Sequence, residues 1–441
     1  MSNGLQIWYP FTPQAPGAPP IRVKRAEGVY LYTEDGRRII DGISSWWVNL
    51  HGHGHPEIVA AIAEQAARID HVLLAGCTNN TVEELAARLR GVLPAEMKHV
   101  FFSDDGSTAV EVALKLAIQY WKNIGRPKKT GIVALERAYH GDTVGAMSVG
   151  DDSGFTESFR GLLFSVHRVH SAYCYRCPVG RERATCNIEC ADKVRMLLEQ
   201  KHDEIAAVIV EPLLQGAGGM IVHPVEFLQR VRKMCAEFGV LLIDDEVLTG
   251  FGRCGRMFAG ELAGVVPDLM CLSKGLTGGV LPMAATVCTD EIHRAFASSD
   301  PAKTFYHGHS YTGNPIAAAA GVASLRIFER EPVFERIAAI AKIHGERIAA
   351  IRNHPAVGDV RSIGTMAAVE LKADDPGYFS KMRPKLYEFF IDAGVLLRPL
   401  GNVIYILPPY VISSAELNFI HDRIAEALDM CVEPLARSAG D

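Results

Sequence analysis

The sequence predicts an α/β protein: a mostly parallel central sheet flanked by helices. Two observations carry this. Short continuous apolar runs at 131–135, 206–210, 240–243, 269–272 and 284–287 are bounded by turn residues, as strands buried on both faces of a sheet are. Helix-like stretches alternate with them, the order expected of parallel strands joined by crossovers. Ligands of such sheets bind beyond the carboxyl ends of the strands. Asp244, Asp245 and Glu246 stand at one such end, and Ser273-Lys274-Gly275 at another.

A chain of 441 residues is long for a single core, so more than one domain is expected. Residues 1–50 read as an N-terminal arm with part of a small domain, 51–330 as a large α/β domain, and 331–441 as the C-terminal part of the small α+β domain. Hydrophobic residues make up 48% and charged residues 22%, enough apolar surface for a large core. The net charge of -6 argues against a general nucleic-acid binder. No uninterrupted apolar stretch has the length of a membrane span. The first ten residues lack the basic start and apolar centre of a secretion signal, so a soluble, cytoplasmic protein is expected. Its ten cysteines are then expected to be mostly reduced thiols.

In chain order, the prolines at 10, 13, 16, 19 and 20 mark an anchored arm without regular structure. Residues 28–36 alternate and end in Asp-Gly, predicting a hairpin that continues into 37–41. Trp46 and Trp47 suit the wall of a pocket for an apolar substrate. His51, His53 and His55 read as turn and packing histidines rather than metal ligands. Helices are expected over 56–69 and 83–93. A strand at 98–103 breaks at Asp104-Asp-Gly-Ser107 and enters a helix over 108–121. Such a strand, Gly-Ser turn and helix N-terminus can cradle a single phosphate; Ser107 as a plain N-cap is the ordinary alternative. Tyr139 follows the strand at 131–135 and could stack on a flat ring. Glu211 ends another strand in a polar turn. Cys174, Cys177, Cys186 and Cys190 form C-x2-C-x8-C-x3-C, a spacing like that of tetrahedral zinc sites but with a short middle segment. The alternative there is an exposed insertion of free thiols. From about residue 332 the pattern changes to helices and short alternating strands at 364–370 and 403–407.

A lysine and a carboxylate at strand ends, with a phosphate cradle and a ring partner, suit pyridoxal 5′-phosphate. The lysine amine can hold the aldehyde as a Schiff base, and a carboxylate facing the pyridine nitrogen keeps it protonated. Taken singly, Asp245 is an ordinary strand-end acid and Lys274 an ordinary lysine. A nucleotide-binding dehydrogenase would need Gly-x-Gly-x-x-Gly after an early strand, where this chain has Asp-Asp-Gly-Ser.

Several blocks also carry a family resemblance. They are Trp8-Tyr-Pro-Phe-Thr12, Asp41-Gly-Ile-Ser-Ser-Trp-Trp47, Tyr139-His-Gly-Asp-Thr143, Asp245-Glu246 with Thr249-Gly-Phe-Gly-Arg253, Ser273-Lys-Gly-Leu-Thr-Gly-Gly279, Gly313-Asn-Pro315 and Arg398-Pro399. Over nearly its whole length the chain resembles the class III (ω) aminotransferases of PLP fold type I. The resemblance implies that Lys274 binds PLP and shuttles the proton, that Asp245 faces the pyridinium, and that Tyr139 covers the ring. It implies a cofactor set of Gly106, Ser107, Tyr139, His140, Glu211, Asp245, Val247 and Lys274, with Ser310 reaching the phosphate from a second subunit of a homodimer with shared sites. Phe11, Trp46, Asp142, Arg253, Gly308 and Arg398 fall on the substrate side, Arg398 as the carboxylate partner. The double tryptophan with the N-terminal block points to the biotin-synthesis branch. That implies transfer to 8-amino-7-oxononanoate, giving 7,8-diaminononanoate, with S-adenosylmethionine or lysine as donor. The alternative is a broad ω-amine or diamine:pyruvate transaminase. Phe11 replaces a tyrosine of the S-adenosylmethionine users, and His307-Gly-His-Ser-Tyr-Thr312 lacks their central Pro-Thr, so the donor stays open.

Overall fold

Seven strands form the central sheet, in the order Met97–Ser103, Ala284–Thr289, Leu269–Leu272, Leu241–Asp245, Ile205–Val210, Gly131–Leu135, His167–Val169. The computed structural model describes residues 7–13, 19–152 and 154–438; the rest, including Pro16 of the arm, lie outside the described residues. Ala284–Thr289 runs antiparallel to both its neighbours, while the pairs from Leu269–Leu272 across to His167–Val169 are parallel. Every residue of Ile205–Val210 and of Leu241–Asp245 is buried. Their unbroken apolar runs follow from having protein on both faces. Each fully buried Val, Leu or Ile there adds about 1.5–3 kcal/mol of transfer free energy.

The helices fall close to where periodicity places them: Pro56–Arg68, Asn80–Val92 and Gly106–Asn123. One cap differs from expectation. Asp105, not Ser107, is the N-cap of Gly106–Asn123; its side chain accepts the Thr108 N–H at 2.9 Å. Ser107 therefore lies inside the first turn with its hydroxyl directed elsewhere.

The predicted hairpin forms as Tyr30–Thr33 against Arg38–Asp41, and Val395–Leu396 joins the latter in parallel. Both ends of the chain thus share one sheet. A further sheet of Val357–Ile363, Met366–Leu371 and Val403–Ile406 lies in the C-terminal part. His51 bonds Ser324 at 3.0 Å, His53 reaches Asp41 at 2.9 Å and His55 reaches Glu331 at 3.3 Å. Each packs with its own partner, and the acids that sequence proximity did not supply arrive from elsewhere in the fold.

Burial holds several histidines neutral: His51 is pushed down to about 3, and His223 and His344 to about 4. An unfolded chain binds protons at such positions below about pH 6.5 while the folded chain does not. Each therefore removes stability as pH falls from that value toward its folded pKa. Asp244, Glu211 and Glu246, raised by burial, act with the opposite sign over an overlapping range, so a difference measurement is needed. The stability of the wild type relative to His223→Gln is expected to fall by about 1.4 kcal/mol per pH unit between about pH 6.5 and pH 4, read from urea midpoints. A constant difference would show that His223 is not neutral in the fold.

Candidate active site

Leu241–Asp245 and Leu269–Leu272 lie side by side, with Asp245 opposite Cys271. Alternation along a strand sends neighbouring side chains to opposite faces, and this sorts the acidic triplet. Asp245 lines a cavity of about 590 Å³. Its Oδ1 accepts the Val247 N–H at 3.0 Å, and its Oδ2 lies 2.7 Å from His140 Nδ1, which donates to it. Asp244 is fully buried on the other side, and among the described residues neither of its oxygens has a partner. Burial, then the Glu246 charge, holds its carboxyl well above the usual range. Glu246 accepts the Gly260 N–H at 3.0 Å and is pushed up to about 7 by burial.

Lys274 follows the end of the neighbouring strand in a left-handed backbone conformation, φ +42°. Such a conformation costs a non-glycine residue about 1 kcal/mol or more and is concentrated at functional sites. Lys274 lines the same cavity, with Nζ 5.0 Å from the centre of the Trp47 ring. Burial pulls its amine down to about 8, against the opposing pull of Asp245 and Glu211.

The first N–H groups of Gly106–Asn123 have no partner within the helix, and Gly106 and Ser107 face the cavity. A Cβ at Gly106 would lie 2.6 Å from Val247 Cγ1, so glycine is needed there for close packing. Ser107 Oγ accepts the Asp142 N–H at 3.2 Å. Tyr139, His140, Glu211 and Val247 complete the deep wall. Glu211 accepts the N–H groups of Tyr139 and Gly216 at 3.0 and 2.9 Å, and burial pushes it up to about 7. The Tyr139 hydroxyl donates to Asp142 Oδ2 at 3.0 Å, and burial raises its pKa.

Toward the mouth, the Arg398 guanidinium stacks 4.5 Å above the Trp46 ring and donates to the Phe11 carbonyl at 3.3 Å. Phe11 meets Trp46 edge-on at 5.5 Å. Trp47 is buried and donates to the Tyr405 hydroxyl at 3.0 Å. Phe155, Tyr378 and Tyr405 also line this cavity. They belong to no motif; the one trace in the sequence is an aromatic beside glycine in Gly154-Phe155 and Gly377-Tyr378.

Arg253 lies beneath the cavity wall. It is fully buried and does not line the cavity; it donates to the carbonyls of Pro408, Trp47 and Asn49 at 2.8, 3.3 and 3.0 Å. Its guanidinium ties together the segments beneath the tryptophans. Asp142 lines an adjoining cavity instead and acts on this one through Tyr139. Gly308 and Ser310 are exposed and do not line their own chain's cavity, although neighbouring His309 lies 3.6 Å from Asp104 of its wall. Cys174, Cys177, Cys186 and Cys190 surround one small space as free thiols. Among the described residues no three His, Cys, Asp or Glu side chains are placed to hold a metal ion.

The arrangement can take a flat, phosphorylated aldehyde. Helix N–H groups and the Ser107 hydroxyl suit its phosphate, an enclosed carboxylate suits a protonated ring nitrogen, and an amine brought down to about 8 suits attack on its carbonyl.

The chain belongs to the class III aminotransferases: the model of the family described as "Aminotransferase class-III" matches residues 12–428. Its cofactor is accordingly pyridoxal 5′-phosphate. Among its relatives is the adenosylmethionine-8-amino-7-oxononanoate aminotransferase of Synechococcus elongatus, 46% identical over 97% of this chain and 100% of that protein. The Geobacter sulfurreducens protein of the same name is 41% identical over 96% of this chain and 95% of its own. The crystal structure of the Methanocaldococcus jannaschii enzyme of that name superposes with a TM-score of 0.90 at 37% identity, covering 97% of each chain. An amine transaminase from an uncultivated Pseudomonas species, in its PLP-bound form, gives 0.92 at 33% identity over 97% of this chain and 99% of its own.

Proposed function

We propose that this protein transfers an amino group to 8-amino-7-oxononanoate, giving 7,8-diaminononanoate in biotin biosynthesis, with S-adenosylmethionine as the leading donor. The observation that carries this is a single cavity with Lys274 and Asp245 in its depth and Trp46 and Arg398 at its mouth, in a chain so similar to relatives bearing that name. When bound, pyridoxal phosphate supplies an electron-accepting ring that stabilises negative charge at the amine-bearing carbon of the substrate.

The protein's residues do the rest. Gly106 and Ser107 would anchor the phosphate, and Tyr139 and Val247 would hold the ring. Asp245, fixed by His140 and the Val247 N–H, would face the ring nitrogen. Lys274 would hold the cofactor through Nζ and, once the substrate amine has displaced it, would take the proton from the substrate carbon and return it as general base and acid. Trp46 and Phe11 exclude water and cover an aliphatic chain, and Arg398 pairs with its carboxylate. Exposed Gly308 and Ser310 would complete the neighbouring site in a cytoplasmic homodimer. The exposure of Tyr306 and Tyr311 in the same loop, 74% and 65%, supports a subunit contact there.

Replacing Arg398 with alanine is expected to raise the KM for 8-amino-7-oxononanoate by about 30–100-fold with a much smaller change in kcat. An unchanged KM would remove Arg398 from the acceptor site. A second reading, a broad amine:pyruvate transaminase, is favoured by Phe11, which offers Trp46 only an apolar edge, and by the likeness to the amine transaminase.

A further inference from the structure

The four clustered cysteines have no part in the reaction above. They line a space of about 20 Å³, room for about one water molecule. Cys174, Cys177 and Cys186 are half-buried and Cys190 is buried. Two of the four stand in a defined relation to each other. Cys174–Arg176 form a 3-10 turn, and Cys177 follows it as the cap. Side chains three residues apart eclipse in such a turn, and a rise of about 2.0 Å per residue sets the two Cα atoms roughly 6 Å apart. Disulfides span about 4.4–6.8 Å between Cα atoms. The turn is also held in place from outside the pair. Cys177 Sγ accepts the Arg181 N–H at 3.3 Å. Arg176, between the two cysteines, donates to Glu370 at 2.8 Å; Glu370 also accepts from the Tyr173 hydroxyl, and from Arg361 at 3.0 Å. A bond between the two sulfurs can therefore close without drawing distant segments together.

We propose that Cys174 and Cys177 are a reversible dithiol, joined by a small-molecule disulfide of the glutathione type and released again by the corresponding thiol. The Cys177 sulfur attacks one sulfur of the reagent, breaking its S–S bond; the expelled thiol takes up the Cys177 proton. Burial raises the Cys174 thiol, which makes it the second to react. Its sulfur attacks the Cys177 sulfur of the mixed disulfide, and the second reagent thiol leaves with the Cys174 proton. Two protein thiols are oxidised and one reagent disulfide is reduced. Cys186 and Cys190, on the same space, remain thiols. The joined pair fixes the turn that carries Arg176. Tyr173, Arg176 and Glu370 line the cavity that Asp142 faces beside the active site, so the state of the pair bears on that wall.

The test maps thiols on native, cofactor-loaded protein. It is incubated with glutathione disulfide, alkylated to trap the remaining thiols, digested with trypsin without reduction and read by mass spectrometry. Trypsin cuts after Arg176, so peptides 169–176 and 177–181 separate in the reduced protein and are expected to stay linked in the oxidised one, lighter by two hydrogens. Reduced glutathione is expected to restore both thiols. The linkage is expected to survive Cys186→Ser and Cys190→Ser, and Cys174→Ser is expected to stop at the mixed disulfide, with glutathione retained on Cys177. Absence of the linked peptides from wild-type protein overturns the proposal. So does a disulfide that pairs either cysteine with Cys186 or Cys190, or zinc held by the four thiols in the native protein.

Discussion

Replacing Lys274 by alanine is expected to slow single-turnover amino transfer by on the order of 10⁴-fold. The side chain has two tasks that no other amine in the cavity can take over: securing the cofactor and moving the proton at the reacting carbon. Its placement serves both. The left-handed backbone at the strand end sets Nζ over Trp47, and enclosure lowers the amine to about 8, against about 10.4 for a free lysine. The neutral amine is the nucleophile. Capture of pyridoxal phosphate by cofactor-free protein should therefore quicken as pH rises toward about 8 and level off above it. Borohydride should fix the cofactor covalently to the peptide bearing Lys274 in the wild type and not in the variant. Fixation that survives the substitution would place the attachment elsewhere.

Asp245→Asn is expected to lower kcat by about 10²–10³-fold while cofactor occupancy is largely kept. The phosphate cradle at Gly106 and Ser107 is untouched by the change, so binding persists. What is lost is a fixed negative charge in an enclosed site, where such a charge acts far more strongly than in water. The supporting bonds matter here. The Val247 N–H at 3.0 Å and His140 at 2.7 Å hold the carboxylate in place, and an amide cannot hold a proton on the facing nitrogen. Activity within about tenfold of wild type would contradict this role.

The parts of the fold and site that were legible in the sequence are those set by local pattern. Buried parallel strands show as unbroken apolar runs because protein covers both faces, and the residues at their carboxyl ends, Asp245 and Lys274, follow directly. Alternation puts Asp244 and Asp245 on opposite faces, but it is the family resemblance that chooses Asp245 as the one facing the cofactor. The antiparallel direction of Ala284–Thr289 left no trace, since an apolar run carries no direction. Arg253 sits in a motif close to the site, yet its three carbonyl partners come from residues 47, 49 and 408, a convergence that only the folded chain brings about. Phe155 and Tyr378 lie on irregular segments whose meeting depends on tertiary packing. The cap at Asp105 was missed for a different reason: Asp105 and Ser107 are both good capping residues, and the helix start decides between them.

The identity of the acceptor is decided by a single-turnover comparison. Protein loaded with an amino group from S-adenosylmethionine, lysine or a simple amine is mixed with 8-amino-7-oxononanoate or with pyruvate, and the products are identified by mass spectrometry. The prediction is 7,8-diaminononanoate formed at least about 100-fold faster than alanine. Rapid formation of alanine without 7,8-diaminononanoate would contradict it.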